Sequence, residues 1–198
     1  MKRRSIYVLL VFLVVGFKSP DNGTTIWIVI PGSNIKVDGS TNINSFRCDV
    51  SNYAFPDTLT CFRLVEKGQM LPMSGKLQLQ IESFDCHNKM MTNDLRKTLQ
   101  AKTYPNLTIR FISINSFPDF KKPIRIIGVV DINLAGVTKR FEIGYLFTTD
   151  EHQVLHLKGD RNINFSDFKL VPPSKLGGII KAKDQLRVEF TLNLKPGI

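Results

Sequence analysis

The feature that most constrains this chain is a two-residue period of apolar side chains, repeated along most of its length. In residues 76–84, Leu77, Leu79 and Ile81 fall on one side, with Gln78, Gln80 and Glu82 on the other. In 140–148 the apolar side holds Phe141, Ile143, Tyr145 and Phe147. In 185–194 it holds Leu186, Val188, Phe190, Leu192 and Leu194, against Arg187, Glu189 and Thr191. Alternation of this kind belongs to an extended strand with one buried face, because successive side chains leave a strand in opposite directions. A helix would need a period near 3.6.

The same reading places strands at 26–30 and 33–37, parted by Pro31-Gly32, and at 42–51 and 58–65, joined by a hairpin loop over 52–57. Further strands follow at 107–114, 124–134 and 154–165. Alternation in 107–114 fails at Ile112 and Ile114, which marks either the place where a helix covers the sheet or a bulge. Residues 88–101 break the rhythm: Met91, Leu95 and Leu99 recur every fourth position, with Asp94, Arg96 and Lys97 between them. That is one amphipathic helix, with Asn88 or Thr92 as its N-cap. Tyr104-Pro105 returns the chain to an extended form. Some nine or ten one-sided strands and one helix predict a mainly β fold. The favoured form is a closed or nearly closed antiparallel barrel, which removes exposed edges; a two-sheet sandwich is the alternative.

Composition supports a globular chain. Of 198 residues, 42% are hydrophobic and 22% charged, neither the profile of a disordered segment nor that of a membrane bundle. Residues 1–20 have the layout of a secretory signal peptide or an N-terminal anchor: Lys2, Arg3 and Arg4 precede an apolar stretch over 6–17. The expected location is therefore periplasmic or extracellular. The formal charge is +10, and Lys2, Arg3, Arg4 and Lys18 supply four of it, so the remainder stands at +6. A surplus of this size suits an anionic membrane surface. The scattered Lys and Arg form no recognition helix, so nucleic acid is not an expected partner.

An exported chain makes a disulfide plausible, and there are three cysteines, Cys48, Cys61 and Cys86. Three pairings stay open; Cys48 and Cys61 flank the expected hairpin loop and so could face each other across strands. No metal site is expected. His152 and His156 share a strand face, but at about 3.3 Å per residue they stand some 13 Å apart, too far to share an ion. His87 beside Cys86 has the composition of a nucleophile pair, yet neighbours on an extended chain point to opposite sides. Fingerprints for a nucleophile elbow, a phosphate loop, a zinc protease or a dinucleotide site are absent, so no catalytic residue and no cofactor is assigned.

Several segments, taken in order, resemble the YceI-like family of secreted proteins. Trp27-Ile28, Ser33 and the run from Gly39 through Ser40, Thr41 and Asn42 to Phe46 resemble its first two strands. The run from Ile81 to Cys86, then Lys89, Asp94, Leu95, Leu99 and Tyr104-Pro105-Asn106-Leu107, resembles its strand–helix module. Gly128 to Leu134 with Gly136-Val137-Thr138-Lys139 resembles a hairpin of that family, and Phe168, Leu170, Pro172, Pro173 and Gly178 resemble its C-terminal motif. The resemblance spans 25–195 and implies one lipocalin-like antiparallel barrel with a single helix. It further implies a polyisoprenoid or similar long-chain amphiphile in the lumen. Each methylene taken from water contributes about 0.8 kcal/mol to holding such a ligand.

On that reading the lumen is lined by Phe46, Leu77, Leu79, Ile109, Phe111, Ile126, Val130, Phe141, Ile143, Tyr145, Leu155, Leu157 and Phe190. The expected partner is a hydrophobic small molecule, with a membrane surface and a second copy of the chain as further candidates. Where many members of the family carry an Arg and a Gly, this chain has Phe165 and Lys169, and Arg161 lies on the same strand side four residues earlier. The alternative to a lipid carrier is a solid-core structural or partner-binding module of the cell envelope.

Overall fold

The first and last strands pair with each other, and that pairing decides the architecture. The structure, a computed structural model, describes residues 23–197 apart from 54, 55, 67 and 119. In chain order the elements are β1 (Thr24–Ser40), β2 (Ser45–Tyr53), β3 (Thr58–Phe62), β4 (Leu71–Ser74) and β5 (Lys76–Gln80), then helix α1 (Lys89–Thr98). After it come β6 (Asn106–Ile114), β7 (Ile124–Leu134), β8 (Val137–Thr149), β9 (Leu155–Asn164), the two-residue strands β10 (Ser174–Lys175) and β11 (Ile180–Lys181), and β12 (Gln185–Pro196). Neighbours around the sheet run β12, β9, β8, β7, β6, β4, β3, β1, and β12 pairs back onto β1. Among the described residues the fold is thus a closed antiparallel barrel of eight strand positions with one α-helix, not a sandwich.

Two of those positions are shared by two strands each. β1 pairs with β3 through Thr24–Ile28 and with β2 through Ser33–Ser40. β6 likewise pairs with β5 through its first half and with β4 at its end. The expected hairpin between 42–51 and 58–65 is therefore corrected: β2 and β3 share β1 as a partner in place of pairing with one another. A strand of 17 residues is long enough to serve both.

The expected break at Pro31-Gly32 is corrected too, since β1 passes through it as one strand with a bulge. Its register against β12 slips between Ile30 and Asn34. Gly32 takes φ +89°, a region that L side chains seldom occupy. Buried Ser33 repairs the ladder, donating to the Ile30 carbonyl at 2.9 Å and accepting from the Asn193 N–H at 3.0 Å. The lapse of alternation in β6 is also a bulge, between Phe111 and Ser113, and the helix does not cover that stretch.

Registers distinguish the two ends of the barrel. One end is plugged: Trp27 is buried and stacks on Phe117 with centroids 5.7 Å apart, and the Arg63 guanidinium lies 5.0 Å above the Phe117 ring. The other end, called the mouth here, is where β1 and β2 meet at Ser40 and Ser45, β7 and β8 at Leu134 and Val137, and β9 and β12 at Asn164 and Gln185. Helix α1 connects β5 to β6 at this same end, because Gln80 faces Asn106 in the register. Asn88 is its N-cap, its side chain accepting from the Met91 N–H at 3.1 Å. Arg96 and Lys97 in the last turn suit the helix dipole.

Candidate functional site

The inward face of the barrel and the underside of α1 together enclose a cavity of about 90 Å³. Its walls are apolar. β1 contributes Ile35 and Val37, β5 Leu77, β6 Leu107, Ile109 and Phe111, and β7 Ile132 and Leu134. β8 contributes Ile143 and Tyr145, β9 Ile163 and the stem of Arg161, and β12 Leu186, Val188, Phe190 and Leu192. Phe84, Leu95 and Leu99 complete it from the segment that carries the helix. Strand alternation explains the strand members; a four-residue helical step brings in Leu95 and Leu99.

Of the residues expected in the lumen, Leu77, Ile109, Phe111, Ile143, Tyr145 and Phe190 line this cavity. Leu79, Ile126, Val130, Phe141, Leu155 and Leu157 are buried core that does not reach it. Ile126, Leu155 and Leu157 lie toward the plugged end, where side chains from opposite strands meet. Phe46 borders a second cavity at the mouth. The lid residues Phe84, Leu95 and Leu99 were not among those expected. The helical spacing of Leu95 and Leu99 was legible, but which barrel end the helix faces depends on tertiary arrangement.

Tyr145 is buried, its ring edge-on to Phe190 at 5.6 Å and to Phe147 at 6.3 Å, and burial pushes its phenol above the usual range. Gly159, opposite Tyr145 in the register, leaves room for Phe190; a Cβ there would stand 2.4 Å from that ring. Arg161 is the one charged residue of the wall among the described residues. Its guanidinium is 6.0 Å from the centroid of the Phe141 ring and its side chain is otherwise exposed. At the positions of the expected Arg and Gly, Phe165 is buried and Lys169 adopts a left-handed conformation at φ 57°. The backbone there keeps the geometry that a Gly would favour, with Lys169 donating its N–H to the Ser166 carbonyl at 3.1 Å.

The second cavity, about 270 Å³, lies at the mouth between the β1–β2 turn, the start of α1 and the hairpin of β10 and β11. Leu95 belongs to the walls of both cavities.

A seam ties the lid to the barrel. Cys48 on β2 forms a disulfide with Cys86, just ahead of α1. Beside it Asp49 and Asp85 exchange backbone hydrogen bonds at 2.8 and 3.0 Å. The His87 ring contacts Asp49 Oδ2 at 2.8 Å. The Cys86 sulfur is therefore engaged in a disulfide, which removes it as a nucleophile partner for His87. Cys61 is buried and free, and burial pushes its thiol up to about 11.

His152 lies in a turn, and His156 faces outward, with Nδ1 2.7 Å from Asn193 Oδ1 and Nε2 3.1 Å from Asp150 Oδ2. Among the described residues no three His, Cys, Asp or Glu side chains gather as a metal site, and no helix is long and apolar enough to cross a membrane. The expected signal over 1–20 lies outside the described residues.

Comparison with known proteins agrees with this geometry. The model of the YceI-like domain matches residues 32–194. Among solved structures, the chain is similar to a polyisoprenoid-binding domain from Saccharophagus degradans implicated in plant cell wall breakdown. The TM-score is 0.61 at 9% identity, covering 86% of this chain and 98% of that one. It is also similar to BcnA of Burkholderia cenocepacia, with a TM-score of 0.54 at 14% identity, covering 81% and 95%. No curated protein matches by sequence.

Proposed function

This chain belongs to the YceI-like family, and from that premise we propose that it is an exported carrier or store of a long-chain isoprenoid lipid. The observation that carries this reading is the cavity itself: it lies at the centre of a closed barrel, its walls are apolar, and a single helix roofs it. An apolar chain is held there by removal from water, with no charged partner required. The polyisoprenoid-binding domain of Saccharophagus degradans, similar in fold, supports this choice of ligand class. The basic start of the chain followed by an apolar stretch supports export to the periplasm or the medium. The chain's own residues bind and shield; none is assigned a catalytic step.

A second reading is favoured by one dimension. A cavity of about 90 Å³ is well below the roughly 300–1,000 Å³ of common ligand pockets. A long chain fits only if Leu95, Leu99 and Phe84 move outward with the lid. A barrel that never opens would instead be a solid structural or partner-binding module. Organic extraction of the purified protein followed by mass spectrometry separates the two. The carrier reading expects a stoichiometric long-chain isoprenoid, or thermal stabilisation by an added isoprenoid quinone. Finding neither sinks it.

A further inference from the structure

The mouth carries an apolar rim that the lumen does not need. Ile43 on the β1–β2 turn is 66% exposed, Met90 in the first turn of α1 is 63% exposed, and Ile179 between β10 and β11 is 72% exposed. Single exposed apolar residues are ordinary, but these come from three separate segments that meet at one opening. Ile43 and Met90 border the mouth cavity together. Ile179 is bound to the same turn, its carbonyl accepting from Asn42 Nδ2 at 2.8 Å, and the Lys181 N–H donates to Asn42 Oδ1 at 3.0 Å. The three segments are thus fixed relative to one another.

Basic side chains outnumber acidic ones around this rim. Lys89, Lys181 and Lys183 are exposed and form no ion pair among the described residues. The carboxylates of the region are engaged: Asp94 pairs with Lys175 at 2.7 Å, and Asp184 accepts the N–H and the hydroxyl of Ser166. Apolar tips ringed by lysines complement a surface of acyl chains beneath anionic head groups, which neither water nor an acidic protein groove supplies as fully.

We propose that the mouth is a docking face for an anionic lipid bilayer, with Ile43, Met90 and Ile179 entering the acyl boundary and Lys89, Lys181 and Lys183 meeting the head groups. This rests on the carrier reading for its purpose, because the docked face is the one whose lid, α1, stands over the lumen. Leu95, the wall common to both cavities, is then the last barrier between bilayer and barrel interior. A lipid passes from one apolar phase to another without crossing water.

The test reads position directly. In the full chain, Met90→Cys and Ile179→Cys are labelled with an environment-sensitive fluorophore, as are Leu64→Cys and Phe120→Cys near the plugged end. Cys61 stays unlabelled because it is buried with a raised thiol. Vesicles of equal parts phosphatidylglycerol and phosphatidylcholine are expected to blue-shift the labels at 90 and 179 and to leave those at 64 and 120 unchanged. Phosphatidylcholine vesicles alone are expected to leave all four labels unchanged. Each lysine near an anionic surface strengthens binding about fivefold, so Lys89→Gln, Lys181→Gln and Lys183→Gln together are expected to weaken the response roughly a hundredfold.

No shift at 90 and 179, a shift only at the plugged end, or lysine dependence below about twofold overturns the proposal. So does protection of 90 and 179 by concentration-dependent self-association in the absence of vesicles. Lipid extracted from the same preparations keeps the two readings apart. Bound isoprenoid without vesicle docking defeats this inference and leaves the carrier reading intact; docking without bound isoprenoid does the reverse.

Discussion

Asp131 is the clearest case of one residue whose charge is held by its neighbours. It points outward from β7, yet it is buried between Arg110 and Arg140, which reach its carboxylate at 2.7 Å each from strands on either side. The hydrogen bond from Arg140 is the main cause that lowers the Asp131 carboxyl to about 2, with Arg110 adding to it. Because the folded value lies below the unfolded one, the stability it contributes is full above about pH 4 and is lost as pH falls toward 2. Asp131→Asn is expected to cost about 1–2 kcal/mol at neutral pH, less than the whole shift implies because both arginines are largely exposed. In urea melts the gap between variant and parent should close between pH 4 and pH 2; a gap that persists at pH 2 assigns the loss to packing and not to charge. The sequence showed Asp131 as a lone acid in an apolar strand. It did not show its partners, since Arg110 and Arg140 become neighbours only through the registers of β6 and β8. The same holds for the expected lumen residues. Parity along a strand separates the two faces. Depth along the barrel, which separates Ile109 at the cavity from Ile126 near the plug, is a property of the assembled sheet.

At the scale of elements, the segment with α1 is held by two unlike devices, a cap and a disulfide. Asn88 satisfies an N–H of the first turn, and Cys48–Cys86 fixes the approach to that turn against β2 across a separation of 38 residues. The disulfide lies beside the Asp49–Asp85 bridge, which joins β2 to the segment between β5 and α1. Replacing both cysteines by serine is expected to cost about 2–4 kcal/mol, chiefly by freeing the unfolded chain. If α1 is the lid, the same variant should also exchange bound lipid faster than Asp131→Asn, which is destabilised elsewhere, when each is measured by transfer to excess vesicles at an equal distance below its own melting temperature. Equal exchange rates would mean that the helix is not the moving part. The helix and the one-sided strands were legible from period and caps. The cysteine pairing was not: three pairings stayed open, and only the assembled sheet shows that β2 and β3 lie end to end along β1, so that Cys48 and Cys61 never oppose each other. Nor was the short strand β4 legible, as Leu71–Ser74 is too brief for alternation to register.

For the whole molecule, the question is whether an eight-position barrel of this girth is a container or a plug. Such barrels stand at the boundary, wide enough to be filled by side chains or to hold one small ligand. Here large rings occupy much of the interior, with Phe111, Tyr145 and Phe190 buried or nearly so around the remaining space. The segment that carries the helix closes the lumen with Phe84, Leu95 and Leu99. Ile109→Trp decides between the two states, because the indole would fill the cavity between β5, β6 and the helix. In a plug, filling an empty space adds contacts, and the variant should melt at or above the parent temperature whether or not lipid is present. In a container, the variant should lose its bound isoprenoid and no longer gain stability from added polyisoprenoid, while the parent continues to do so. The readout is the difference in melting temperature with and without lipid, compared between the two proteins. Retention of lipid and of the full shift by Ile109→Trp would place the ligand outside this cavity. The mouth cavity beside Phe46 and Met91 would then be its next location to probe.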